Sequence, residues 1–242
     1  MTLEERIAAV KERIAAAARE VGRAPEEITL VAATKTQSSQ TIRSAIAAGI
    51  TACGENRVQE MTAHLDDDAY GSAALHFIGH LQTNKVKYVV GRVDLIESVD
   101  SLRLLEAVEA QGAKLGVVQD ILLEVNVAGE ASKSGISPLE APALARLALE
   151  MPHVRLRGLM AIPPVAHEAG ANRHFFHQMR ELFVDIRQNV TDNVYDMDCL
   201  SMGMSGDFED AVREGATLVR VGTALFGPRI SAAQDQEGKS WG

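Results

Sequence analysis

Seven lysines are spread along the 242 residues, and Lys35 alone directly ends an apolar run, Ile28–Thr34. Burial disfavours the charged ammonium, so a lysine at such a strand end can present a neutral amine. A neutral amine is what condensation with an aldehyde to a Schiff base requires. The alternative is a lysine that simply extends into solvent at the rim. A second group of residues could hold an anion: Gly203, Ser205 and Gly206 follow one apolar run, and Gly222 and Thr223 follow the next. Glycines let backbone N–H groups approach an anion, and hydroxyls add hydrogen bonds. Ser205 also stands just before a helical stretch, where an N-cap would sit. Arg220 alternates with Gly222 and so shares its face of the strand. An inward guanidinium needs an acceptor, either a structural carboxylate or a cofractor's ring nitrogen or phosphate.

Other constellations lead nowhere. His76 and His80 are four apart and His174 and His177 three apart, but no cysteine or carboxylate nearby completes a metal set, so no metal is expected. Gly238-Lys239-Ser240 imitates the end of a P-loop, yet the upstream glycine position is Ala233 and no helix follows.

The elements that must position Lys35 and the glycine turns repeat in a simple pattern. Apolar runs at Ile28–Thr34, Thr51–Gly54, Leu75–Gly79, Val93–Val99, Ile121–Val127, Leu156–Ala161, Cys199–Met204 and Thr217–Val221 read as eight strands. Helical spacing fills the intervals at Gln40–Ala48, Arg57–Leu65, Thr83–Val90, Leu102–Gln111, Leu139–Leu149, Arg173–Asn189 and Asp207–Glu214. An extra amphipathic helix over 3–21 precedes them, stopped by Gly22 and Pro25. Continuous apolar strands alternating with helices predict an α/β fold with a covered parallel sheet, and eight units in one chain predict a closed (β/α)8 barrel. Residues 1–230 are expected to form one domain, and 231–242 a polar, aperiodic tail. In such barrels the chemistry lies where strands end, and the turns after strands seven and eight are the usual phosphate seat.

Composition narrows the function classes. Lys plus Arg is 24 against 33 Asp plus Glu, a net charge of −9. An acidic chain lacks the basic stripe that displaces counterions from nucleic acid or that seeks an anionic membrane. No apolar run reaches the ~20 residues a spanning helix needs, and the charged first turns are unlike a signal peptide. Cys53 and Cys199 make neither a disulfide framework nor a metal motif and read as buried thiols in a reducing, cytoplasmic setting.

Several blocks, taken in order, closely resemble the pyridoxal phosphate homeostasis protein family. They are Leu30–Lys35, Gly54–Glu60, His76–Lys85, Ser132–Ile136, Arg157–Pro163, Leu200–Ser205 and Val219–Gly227. The resemblance spans roughly Ile28 to Arg229, and the ordered set is far more specific than any single block. It implies a barrel like the N-terminal domain of alanine racemase, with pyridoxal 5′-phosphate (PLP) held as a Schiff base on Lys35. It further implies that Ser205, Gly222 and Thr223 hold the phosphate and that Arg220 lies near the pyridine nitrogen. Asn56, His80, Ser201 and Met204 match blocks that line the pocket. One departure stands out: Gln37 occupies a position where many relatives carry a second lysine, so a role for that amine is not expected here.

The resemblance also implies a carrier or regulator of vitamin B6 and amino-acid pools, without robust catalysis and with PLP-requiring apo-enzymes as recipients. A PLP-dependent amino-acid racemase is the alternative. It would need an opposing catalytic tyrosine, and none of Tyr70, Tyr88 and Tyr195 lies at an expected strand end. The chain ends soon after strand eight, leaving no second domain for that tyrosine and favouring a monomer. A third reading is a Schiff-base aldolase that uses Lys35 without PLP.

Overall fold

Thr2 opens the first helix, α1 (Leu3–Glu20), with a reciprocal capping box: its hydroxyl accepts the Glu5 N–H, and the Glu5 carboxylate accepts the Thr2 N–H. The buried stripe Ile7, Val10, Ile14, Ala17 and Ala18 follows the three-and-four spacing of one helix face. A computed structural model describes residues 1–130, 133–166, 168, 170–190 and 197–227. The expected tail 231–242, the domain limit at 230 and Tyr195 lie outside the described residues.

Eight strands follow α1: β1 (Thr29–Ala33), β2 (Ala52–Glu55), β3 (Ala74–Phe77), β4 (Leu95–Val99), β5 (Gln119–Val125), β6 (Val154–Ala161), β7 (Cys199–Ser201) and β8 (Leu218–Val221). Each pairs in parallel with the next, and β8 pairs back onto β1, closing the barrel in sequence order. The helices between them are α2 (Ser39–Ala47), α3 (Val58–Asp66), α4 (Leu102–Leu115), α5 (Ala141–Leu149), α6 (Arg173–Asn189) and α7 (Phe208–Arg213), and α8 (Thr223–Phe226) follows β8. The strands are short and buried on both faces, which is why they read as apolar runs rather than alternating ones.

Two cores result. One packs the outer faces of the strands against the helices, and α1 joins it beside α7, where Arg13 grips Glu209 with two hydrogen bonds of 2.8 and 2.7 Å. The other fills the barrel with Val31, Ala52, Leu95, Leu122, Met160 and Leu218. These six face inward, so the period of two along each strand places His76, Glu97, Glu124, Arg220 and Gly222 on the same interior face, nearer the C-terminal mouth. An apolar plug below and a polar layer above make one end of the barrel the candidate site.

The structure departs from the sequence reading in a few places. Thr83–Tyr88 is a 3-10 turn rather than an α-helix: the segment is six residues long and Gln82 offers no side-chain cap. Strand two runs Ala52–Glu55, drawing Glu55 into the sheet. A short helix, α8, begins at Thr223, directly after strand eight. Cys199 is only partly buried, unlike Cys53, although burial pushes both thiols up to about 12.

Candidate functional site

Lys35 is the second residue of a turn that leaves β1, closed by the Gln37 N–H donating to the Thr34 carbonyl at 3.0 Å. Thr36, third in that turn, has φ 64. This is a left-handed conformation that costs a β-branched residue roughly 1–3 kcal/mol, so the surroundings must hold it. The Glu60 carboxylate accepts the Thr36 N–H at 3.0 Å, and Thr34 is anchored by donating to Glu55 Oε1 at 2.7 Å. β1 lies between β8 and β2 in the closed sheet, so the Lys35 turn is flanked by the Gly222 turn on one side and by Asn56 on the other.

Ser205 does not cap its own helix. Asp207 is the residue before α7, and the Ser205 hydroxyl instead accepts the N–H groups of Gly222 and Ala224, each at 3.2 Å. The reason is closure of the barrel: β7 and β8 are neighbours, so the turns that follow them meet in space. With two donors satisfied on its oxygen, the Ser205 hydroxyl is left to donate its own proton outward. Gly222 backs onto β1: a Cβ there would stand 3.4 Å from Ala33 Cβ. Gly203 is required by the turn itself, with φ 91 and a Cβ that would come within 2.5 Å of Ala211 Cβ. Asp207 steadies the same loop by accepting the Met204 N–H at 2.7 Å, and Asn172 donates to its other oxygen at 2.7 Å. The structure thus places Met204 in this loop by its backbone.

Arg220 and Ser201 are directly joined. The Arg220 guanidinium donates to the Ser201 hydroxyl and to the Ala161 carbonyl, the latter at 2.8 Å. Ser201 in turn donates to Glu97 Oε2 at 2.6 Å, and the other Glu97 oxygen takes His76 Nδ1 at 2.7 Å. Glu97 Oε2 is 3.7 Å from Arg220, so the structural carboxylate is present. Both ions are buried, at 0% and 4% exposure. Burial would raise the Glu97 pKa, but His76, Arg220 and Ser201 outweigh it and hold the carboxyl below its usual value. Burial pulls Arg220 down from its ordinary value, opposed by Glu97, Glu124 and Asp207.

Asn56 and His80 share a cavity of about 280 Å3 with Glu124, Lys133, Ser134 and Ile162. Asn56 Oδ1 is buried there without a hydrogen-bond partner. His80 pairs with Asp100 at 3.0 Å, and Lys133 with Glu130 at 2.9 Å. Glu124 is 6% exposed, and burial, with Asp100 adding to it, pushes its carboxyl up to about 7 against the pull of Arg220 and His80. Among the described residues no group of three or more His, Cys, Asp or Glu could hold a metal ion. No helix there is long and apolar enough to cross a membrane.

Sequence reasoning missed Glu97 and Glu124 as site residues, and read His76 only as half of a failed metal pair. The signal was available: Glu97 is the one carboxylate of LIESV, and Glu124 follows the apolar run Ile121–Leu123 in QDILLEV. A buried carboxylate in such a run calls for a partner across the barrel.

An eight-stranded parallel barrel with an extra N-terminal helix and a lysine turn after its first strand defines a class, and the alanine racemase N-terminal domain family matches residues 6–230. Within it the match is closer still. The pyridoxal phosphate homeostasis protein of Aquifex aeolicus is 43% identical over 93% of this chain and 97% of its own. Its namesake in Pseudomonas aeruginosa is 42% identical over 94% of this chain and 96% of its own. The structure of PipY from Synechococcus elongatus with PLP bound superposes with a TM-score of 0.79 at 33% identity, covering 93% of this chain and all of that one. The chain belongs to the pyridoxal phosphate homeostasis protein family.

Proposed function

We propose that this protein holds PLP at the C-terminal mouth of its barrel, covalently on Lys35, and serves intracellular PLP homeostasis as a carrier rather than as a robust catalyst. The observation that carries this is the convergence of three features on one mouth: the strained Lys35 turn, the Ser205–Gly222 cradle beside it, and the buried Arg220–Ser201–Glu97–His76 layer beneath. The namesake relatives and the PLP-bound PipY structure support the same cofactor.

The residues fit the group. Ser205, Gly222 and Thr223 gather hydroxyl and backbone donors suited to a phosphate. The orphaned Asn56 oxygen marks space at the mouth for a ligand donor. When bound, PLP supplies an aldehyde that condenses with amines and a ring that withdraws electrons. Arg220 limits that withdrawal: a guanidinium that keeps its proton, already balanced by Glu97, hands none to the ring nitrogen. His80, Met204 and Ser201 complete the wall on this reading, and Lys133, held by Glu130 in the cavity, is the amine nearest in role to Lys35.

A racemase needs a positioned acid or base on each face of its substrate. The two tyrosines among the described residues do not supply one. Tyr70 is buried against Glu55 behind the sheet, and Tyr88 is on the outer 3-10 turn. On the carrier reading, a face that no described tyrosine covers also leaves the cofactor open to exchange with a recipient apo-enzyme. The test is paired: holo-protein is incubated with L- and D-alanine while optical activity is followed, and separately with a PLP-requiring apo-enzyme while its recovery is followed. Transfer without turnover supports the carrier. Turnover at ordinary enzyme rates with no transfer overturns it in favour of the racemase.

A further inference from the structure

Behind the sheet, outside the barrel interior, lies a buried polar cluster that the cofactor site does not use. Glu55, fully buried at the end of β2, gathers three groups on one oxygen: Thr34 Oγ1 at 2.7 Å, the Tyr70 hydroxyl at 2.9 Å and His64 Nδ1 at 3.0 Å. The far side of the His64 ring, Nε2, meets the Gln37 carbonyl at 3.0 Å. Thr34 and Gln37 are the first and last residues of the turn that carries Lys35. Its third residue, Thr36, is held by Glu60, which stands four residues before His64 on the same face of α3. One carboxylate and one helix face therefore grip the Lys35 turn at three points.

We propose that His64 and Glu55 form a clamp that positions Lys35 for covalent capture of its aldehyde cofactor. The proposal rests on Lys35 being the anchoring lysine. The turn is not self-supporting: Thr36 takes a left-handed φ that a β-branched residue rarely adopts, and such a conformation persists only when neighbours over-determine it. His64 is suited to the task because both of its ring nitrogens face acceptors, a carboxylate oxygen and a backbone carbonyl. The ring therefore bridges the end of β2 to the last residue of the Lys35 turn. The groups facing it are Glu55 from β2, Tyr70 from the loop after α3 and the Gln37 carbonyl, with Asp67 at the end of its own helix. No atom of the cluster needs to touch the cofactor, so His64 and Glu55 are positioning residues.

The experiment separates capture from binding. PLP is offered to purified wild type, His64→Ala and His64→Gln at one pH, and the covalent product is trapped with borohydride and mapped. The aldehyde-free analogue 4′-deoxypyridoxine 5′-phosphate reports binding at the phosphate and ring seats alone. Glutamine keeps a donor. Losing both His64 clamp bonds should lower covalent capture by about tenfold or more in His64→Ala. Analogue affinity should stay within about twofold, as expected for a change remote from its contacts. His64→Gln should recover much of the capture. Glu60→Gln, which weakens the grip on Thr36 from the exposed side, gives the same contrast if His64→Ala does not fold. Equal losses of capture and analogue binding, or wild-type capture in His64→Ala, overturn the clamp. A wild-type product mapped to a lysine other than Lys35 overturns the anchoring reading instead, so the two failures are distinguishable.

Discussion

Replacing Glu124 by glutamine removes a carboxyl that burial and Asp100 push up to about 7, while keeping its size and shape. In the unfolded chain the same group titrates near its ordinary value of 4.5. Because the folded value is the higher one, the folded state binds more protons between the two values. The stability tied to this group is fully present below 4.5 and is lost as pH rises to about 7. At ~1.36 kcal/mol per unit, that rise corresponds to roughly 3 kcal/mol. Little discount for solvent screening applies, since Glu124 is 6% exposed. Glu124→Gln should therefore be more stable than wild type at pH 8 by about 2–3 kcal/mol, a rise in Tm of roughly 5–10 °C for a chain of this size. The advantage should shrink steadily on acidification and vanish near pH 4.5. Denaturant melts of cofactor-free protein at several pH values measure it without linkage to the ligand. A stability difference that is constant across this range, or a variant less stable at pH 8, would refute the reasoning.

Ser205→Ala removes the hydroxyl that gathers the Gly222 and Ala224 N–H groups. It should weaken PLP binding by roughly ten- to a hundredfold and leave unphosphorylated pyridoxal nearly unchanged, measured by equilibrium titration of both ligands. Gly203→Ala forces a Cβ to within 2.5 Å of Ala211 Cβ at φ 91. It should cost about 1–3 kcal/mol or more in urea melts, as overpacking combined with a left-handed backbone does.

Much of the candidate site was legible because chain position and residue type coincide in this fold. Lys35 was visible as the lysine that follows an apolar run. Gly222 and Arg220 were visible because alternate residues of one strand share a face. Ser205 lies in the expected loop, but its bonds differ from the expected ones. Adjacency suggested that it capped the next helix, whereas closure of β7 against β8 gave it the N–H groups of the following turn. Glu97 and Glu124 went unread because their partners are scattered over other strands. The bond from Ser201 to Glu97 spans 104 positions, which no periodicity reveals. The Glu55–His64–Tyr70 cluster was hidden for a related reason. Its members lie within sixteen residues, but only the packing of α3 on β2 turns them toward one point. The barrel itself needed no such detail, since eight apolar runs alternating with helical spacing have few other ways to close.

Borohydride reduction of the PLP-loaded protein, followed by peptide mapping, tests the central claim most directly. The account predicts one pyridoxyl group per chain, on Lys35, with Lys35→Ala folding normally and losing both the trapped group and the visible absorbance. A stoichiometric pyridoxyl group retained by Lys35→Ala, with Lys133 the next lysine to inspect, would contradict it.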